Sequence, residues 1–178
     1  MGLIERMLIQ FATEQADLHG KKLLYTPFRR LTFAEAMGKY GSDKPDLRFG
    51  MEIFDVTAAT RNSSFAVFAA AETVRGIVAP GCGGYTRKQT DELTELAKRE
   101  GAKGLVVLYH DADGVRASGA GAKLGEAERA AILAAAGSAP GDLLLFVADA
   151  ETPALTALGK LRLEMGARLK LADPSTLA

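Results

Sequence analysis

Seven consecutive residues, Ser42-Asp43-Lys44-Pro45-Asp46-Leu47-Arg48, concentrate a hydroxyl, two carboxylates, an ammonium and a guanidinium. Such a set could bind or orient a charged substrate, and Arg48 could hold a phosphate bidentately. The same residues also suit an ordinary turn in which Asp43 caps backbone amides and Asp46 pairs with Arg48. A turn needs only the Ser, Asp and Pro, so it does not require the full combination. On residue chemistry alone the cluster reads as structural first and substrate-adjacent second.

Three further places carry candidate chemistry. Arg87 and Lys88 stand near a predicted helix start, where positive charge opposes the helix dipole and hints at an anionic partner. Lys123 sits in the glycine-rich run Gly119-Ala120-Gly121-Ala122-Lys123-Leu124, either touching RNA phosphate or simply exposed on a loop. Pro80-Gly81-Cys82-Gly83-Gly84 precedes a helix but lacks both nucleotide-binding glycine spacings, so it reads as a connection. Cys82 would need a base to act as nucleophile, and the two histidines, His19 and His110, are remote in sequence. One cysteine also excludes an intrachain disulfide and a multi-cysteine zinc site. No Ser-His-Asp set, paired-carboxylate cleft or cofactor fingerprint can be assembled.

The elements that must position these residues follow from periodicity. Leu3, Ile4, Met7, Leu8 and Phe11 predict an amphipathic helix over 3–18, ending near Gly20. Thr32 and Glu35 form a capping box for a helix through Tyr40, with Gly41 as its stop. Residues 51–56 read as a short strand. Residues 65–70 and 74–79 read as paired strands, Thr86 opens a helix through Arg99, and 105–109 is a buried strand. A glycine-rich stretch over 114–125 precedes a helix over 126–136 and a strand over 142–148. Thr152 and Pro153 then begin a helix running to about residue 170. The expected fold class is α+β: a two-layer sandwich with an antiparallel sheet and helices on one face, preceded by a mainly helical segment. The boundary falls near 57–64, giving an edge segment 1–56, a sandwich 57–173 and a tail 174–178.

Composition narrows the function classes. The 178 residues suit one domain able to bury about two thirds of its unfolded surface. With 48% hydrophobic and 25% charged residues, disorder is not expected. Twenty-two basic residues balance 22 acidic ones, whereas a dedicated nucleic-acid binder usually carries a basic excess. Any RNA contact must therefore be local or shared with other protein. No stretch approaches the roughly 20 apolar residues of a membrane span. Glu5, Arg6, Glu14 and Asp17 do not suit a secretory leader, so a cytoplasmic location is expected.

Beyond these readings, the chain resembles bacterial-type aspartyl-tRNA synthetases. Tyr40-Gly41-Ser42-Asp43-Lys44-Pro45-Asp46-Leu47-Arg48-Phe49 is similar to a segment just after their second class II signature motif. Thr86-Arg87-Lys88-Gln89-Thr90-Asp91-Glu92, Glu100-Gly101-Ala102-Lys103-Gly104-Leu105, Gly141-Asp142 and Leu158-Gly159-Lys160-Leu161-Arg162 look like their insertion domain. That domain, the GAD domain, is shared with a subunit of tRNA-dependent amidotransferases. The resemblance spans roughly residues 28–173 in the family's order.

The resemblance implies a DCoH-like sandwich inserted in a class II catalytic domain, close to the tRNA acceptor arm. It places Ser42, Asp43, Lys44, Asp46, Arg48, Arg87, Lys88 and Lys123 near tRNA or the active site. Lys123 matches a family Gly-x-x-Lys pattern, with Leu124 where Phe is usual. The parent enzyme would attach aspartate to its tRNA using ATP and magnesium, as a homodimer. The motifs that bind ATP and aspartate do not map onto this chain, so the segment itself is expected to be inactive and to hold no cofactor. The alternatives are the GAD domain of an amidotransferase subunit, or a free-standing ligand-binding protein with a pocket around Tyr85, His110 and Lys123.

Overall fold

Leu143-Leu144-Leu145-Phe146-Val147 is an unbroken apolar run, and a strand made of it must be covered on both faces. The computed structural model, which describes residues 2–177 and only the backbone of residues 119 and 120, builds the fold around that strand. Met1 and Ala178, the outer ends of the 1–56 segment and the 174–178 tail, lie outside the described residues.

The elements run α1 (Leu3–Leu18), β1 (Lys22–Leu23), α2 (Phe33–Tyr40), β2 (Phe54–Asp55), α3 (Thr57–Thr60), α4 (Ala66–Ala69), β3 (Thr73–Ala79) and α5 (Arg87–Arg99). They continue with β4 (Val106–Asp111), β5 (Gly114–Ser118), a 3-10 turn (Gly119–Lys123), α6 (Glu126–Ala136), β6 (Leu143–Asp149), α7 (Glu151–Arg168) and β7 (Thr176–Leu177). Five strands form an antiparallel sheet in the order β2-β3-β6-β4-β5, so the chain is of the α+β class. Strand β6 is central, pairing from Thr73↔Asp149 to Ala79↔Leu143 on one side and Val106↔Phe146 to Tyr109↔Leu143 on the other. Separately, β1 and β7 pair in parallel.

Alternation along the strands feeds two cores. Ile77, Val107, Tyr109, Leu143, Leu145 and Val147 point to the face covered by α5 and α7, against Leu93, Ala97, Leu158 and Leu161. Val74, Leu108, Leu144 and Phe146 point to the opposite face, against Phe65, Phe68, Leu124 and Ile132. The two helices expected on one face are there, and a second cover of α4 and α6 lies on the other.

Several local expectations change with this second cover. Residues 65–70 are not a strand: α4 is a single helical turn, and its N-cap Phe65 and its Phe68, three apart, enter the second core while Val67 stays exposed. A short apolar run has no decisive period, and here packing selects the helical one. Strand β3 accordingly pairs with β2 and β6. Part of the glycine-rich stretch is strand β5, joined to β4 at Asp111↔Gly114, with exposed Gly114, Arg116 and Ser118 alternating with Val115 and Ala117. Of 51–56 only Phe54–Asp55 pairs, because Met51 adopts a left-handed φ of 62° and breaks the extended path. Helix α7 begins at Glu151 rather than at a Thr152 cap; Ala150 is its N-cap and donates its amide to Asp149 Oδ1 (2.9 Å).

The expected capping box is realised, and a second one is found. Thr32 and Glu35 bracket the start of α2, Thr86 and Gln89 that of α5, and Gly41 ends α2 with φ 66°. Helix α1 buries only Ala16, and its stripe of Leu3, Ile4, Met7, Leu8 and Phe11 is 53–73% exposed. An apolar face of that extent favours association. Light scattering should show concentration-dependent self-association that Leu8→Glu suppresses; a strict monomer at high concentration would rule it out.

Candidate functional site

The cluster at 42–48 forms where α2 stops. Gly41 turns the chain, and Ser42 Oγ accepts the Lys44 amide (3.1 Å). Asp46 then closes a clasp on Arg48: Oδ1 accepts the Arg48 amide (3.0 Å) and Nε (2.9 Å), and Oδ2 accepts Nη2 (2.7 Å). The Arg48 side chain, by that hydrogen bond, holds the Asp46 carboxyl below its ordinary range, with burial opposing. The fork that could grip a phosphate is therefore engaged within the loop. Asp43 and Lys44 are exposed, and the amide-capping role expected of Asp43 is taken by Ser42 and Asp46.

Behind the clasp stands a residue that motif reasoning passed over. Arg162 of α7 is 1% exposed, yet its hydrogen bonds go to backbone carbonyls rather than to a carboxylate. Nη2 donates to Asp46 O (2.8 Å), Phe49 O (2.7 Å) and Gly50 O (2.8 Å), and Nε donates to Gly50 O (3.1 Å). The guanidinium lies over the rings of Phe49 (4.1 Å) and Tyr40 (4.9 Å). Burial lowers its pKa from the usual arginine value. The Tyr40 hydroxyl donates to Glu52 Oε1 (2.8 Å), whose other oxygen meets Lys39 Nζ at 3.2 Å. One signal in the sequence pointed here: Arg162 falls among Leu158, Leu161 and Met165 on the inward side of a helix, where an unpaired arginine is rare.

Arg87 and Lys88 open α5, with Arg87 Nε 3.8 Å from Asp91. They line a cleft of about 800 Å³ between α5 and α7 where Arg87, Lys88, Arg99 and Arg168 face Asp91, Glu92, Glu95 and Glu164. The wall is electrically balanced, which gives an anion no net attraction. Lys123 ends the 3-10 turn, exposed, beside Leu124 of the second core. Helix α5 covers the first core, so Lys123 and the Arg87–Lys88 pair lie on opposite faces of the sheet. The eight candidate residues thus occupy three separate places.

Tyr85, His110 and Lys123 do not converge either. Tyr85 packs against the α5/α7 core, His110 Nδ1 is 3.0 Å from Ser138 Oγ, and Lys123 sits over the other face. Cys82 is buried with its thiol toward Pro80 O (3.5 Å), and burial raises its pKa, the reverse of what a nucleophile needs. Among the described residues, no three His, Cys, Asp or Glu side chains gather to hold a metal, and no helix is long and apolar enough to cross a membrane.

Residues 66–158 match the family model of the GAD domain. The chain is 52% identical over 159 residues to the aspartate–tRNA(Asp/Asn) ligase of Moorella thermoacetica, covering 87% of this chain and 26% of that protein. It is 53% identical over 153 residues to the like-named ligase of Symbiobacterium thermophilum, covering 84% and 26%. Similarity to the aspartate–tRNA ligase of Geobacillus kaustophilus, 48% over 184 residues, spans all of this chain and 30% of that protein. The chain thus spans little more than a quarter of the length of these relatives.

Proposed function

The chain belongs to the GAD domain family, and on that premise we propose that it works as the insertion domain of an aspartate–tRNA ligase. The observation that carries this reading is the reach of the similarity. The GAD model starts at residue 66, whereas the Geobacillus ligase aligns over the whole chain, including the 42–48 loop. A GAD domain taken from an amidotransferase subunit would not call for that preceding segment.

In this reading the sandwich is a wall beside the catalytic sheet, near the acceptor arm of the tRNA, within a cytoplasmic homodimer. ATP, magnesium, aspartate and the tRNA 3′ end are handled by other parts of the polypeptide. The residues of this chain do not fit those groups. The Arg48 fork is closed on Asp46, the α5 cleft is balanced in charge, and among the described residues no three His, Cys, Asp or Glu side chains are grouped to hold a metal ion. Asp43 and Lys44, exposed at the loop beside the half-buried Ser42, are the side chains best placed for a tRNA contact, ahead of Arg87, Lys88 and Lys123.

An antibody raised against this chain tests the reading on source-cell extract. The expected band lies between three and four times the 18.8 kDa of the chain, because the chain makes up 26–30% of its relatives. The 178-residue chain itself should give no aspartate-dependent ATP–pyrophosphate exchange. A single band at 18.8 kDa, or exchange by the chain alone, would overturn the proposal.

A further inference from the structure

Three backbone carbonyls, of Asp46, Phe49 and Gly50, converge on one buried guanidinium, and the two flanking aromatic rings leave it no other exit. Stability alone does not account for an arginine there. A buried charge without a carboxylate bears a desolvation cost that a leucine or methionine of similar volume avoids. What a planar fork supplies, and an apolar or ammonium side chain does not, is a set of directed donors that fixes where several acceptors must lie. The neighbouring positions of α7 fit the same segment. Gly159 and Gly166, three residues before and four after Arg162, share its face of the helix. A Cβ at Gly159 would stand 2.7 Å from Gly41 O, and one at Gly166 2.5 Å from the Phe49 ring. Leu155, Leu158, Leu161 and Met165 of the same helix enter the first core.

We propose that Arg162 is the positioning residue of the 42–50 loop, locking it to α7 so that loop and sandwich open as one body. The loop's exposed Asp43 and Lys44 and its Asp46–Arg48 clasp are then held in fixed register with the five-stranded sheet. That much stands on the geometry of this chain. Its consequence for catalysis rests on the proposed function: if the insertion domain shifts within a ligase, the 42–48 residues travel with it.

Trypsin reads this directly on the 178-residue chain, because Arg48–Phe49 lies in the loop and Arg75–Gly76 lies in β3. When reclosing outpaces cleavage, cutting follows the population of the open form. In the wild-type chain the two bonds should be cut at rates within about tenfold of each other. Arg162→Lys should speed cleavage after Arg48 about a hundredfold while leaving Arg75 unchanged, as expected when directed, charge-assisted hydrogen bonds are lost. In Arg162→Ala, millimolar methylguanidinium should restore resistance at Arg48, a response that simple cavity filling would not give. Wild-type cleavage after Arg48 a hundredfold faster than after Arg75 would overturn the proposal, as would full protection in Arg162→Met. Should the Ala variant unfold outright, the wild-type rates decide. None of these readouts involves tRNA or ATP, so failure here leaves the ligase reading untouched.

Discussion

Gly159→Ala should remove about 3–5 kcal/mol of stability, the range of severe packing defects, and lower the melting temperature by roughly 10 °C. In an isolated helix the same change would help, since Ala exceeds Gly by about 1 kcal/mol in helix propensity. Tertiary contact reverses the sign. The added Cβ would meet Gly41 O at 2.7 Å, Tyr40 O at 2.9 Å and Gly41 C at 3.0 Å, all backbone atoms that cannot rotate aside. Gly41 is equally confined: its φ is 66°, and a Cβ there would strike Leu155 O and the Cα of Gly159. The two glycines let α7 and the end of α2 touch backbone to backbone. Gly38→Ala, inside α2 with nothing within 4 Å of the new Cβ, is the control and should be neutral or stabilising. Urea denaturation of the two variants measures the difference. Equal stabilities would mean that α2 and α7 do not approach this closely.

Much of this arrangement was legible where local chemistry decides it. The Thr32–Glu35 box set the start of α2, Thr86 marked the start of α5, and an alanine-rich run ended by Gly137 gave α6 its bounds. Strands β3, β4 and β6 followed from β-branched and apolar runs. What escaped depended on partners far away in the chain. Residues 66–69 become helical because Phe146 waits beneath Phe68, the two rings 6.2 Å apart. Strand β5 carries too little apolar alternation to declare itself, and Arg116 holds it by lying 4.0 Å above the Tyr109 ring of β4. For the candidate site, the Asp46–Arg48 pair was foreseen as one of two outcomes from spacing alone. Its anchor, Arg162, was not, because the acceptors are carbonyls more than 110 residues away and carbonyls have no sequence signal.

The same distant anchoring separates the unit of folding from the stretch matched by the family model. A chain starting at residue 32 should fold, whereas one starting at residue 57 should not. Removing 2–31 takes away α1, which buries only Ala16, and the two-residue β1. Removing 32–56 as well strips Ile53 from one core and Val56 from the other, uncovers Gly159 and Gly166, and takes β2 from the edge of β3. It also deletes every carbonyl that Arg162 uses and both rings beside it. Two large buried side chains are worth about 1.5–3 kcal/mol each, and removing one partner of a buried charge costs about 3–5 kcal/mol. Together these losses rival the roughly 5–15 kcal/mol by which a domain is stable at all. Thermal melts followed by circular dichroism should therefore be cooperative for 32–177 and broad for 57–177. A cooperative melt of the shorter piece would show that the sandwich needs neither the loop nor its arginine clamp, and that 42–50 is only a passenger on α7.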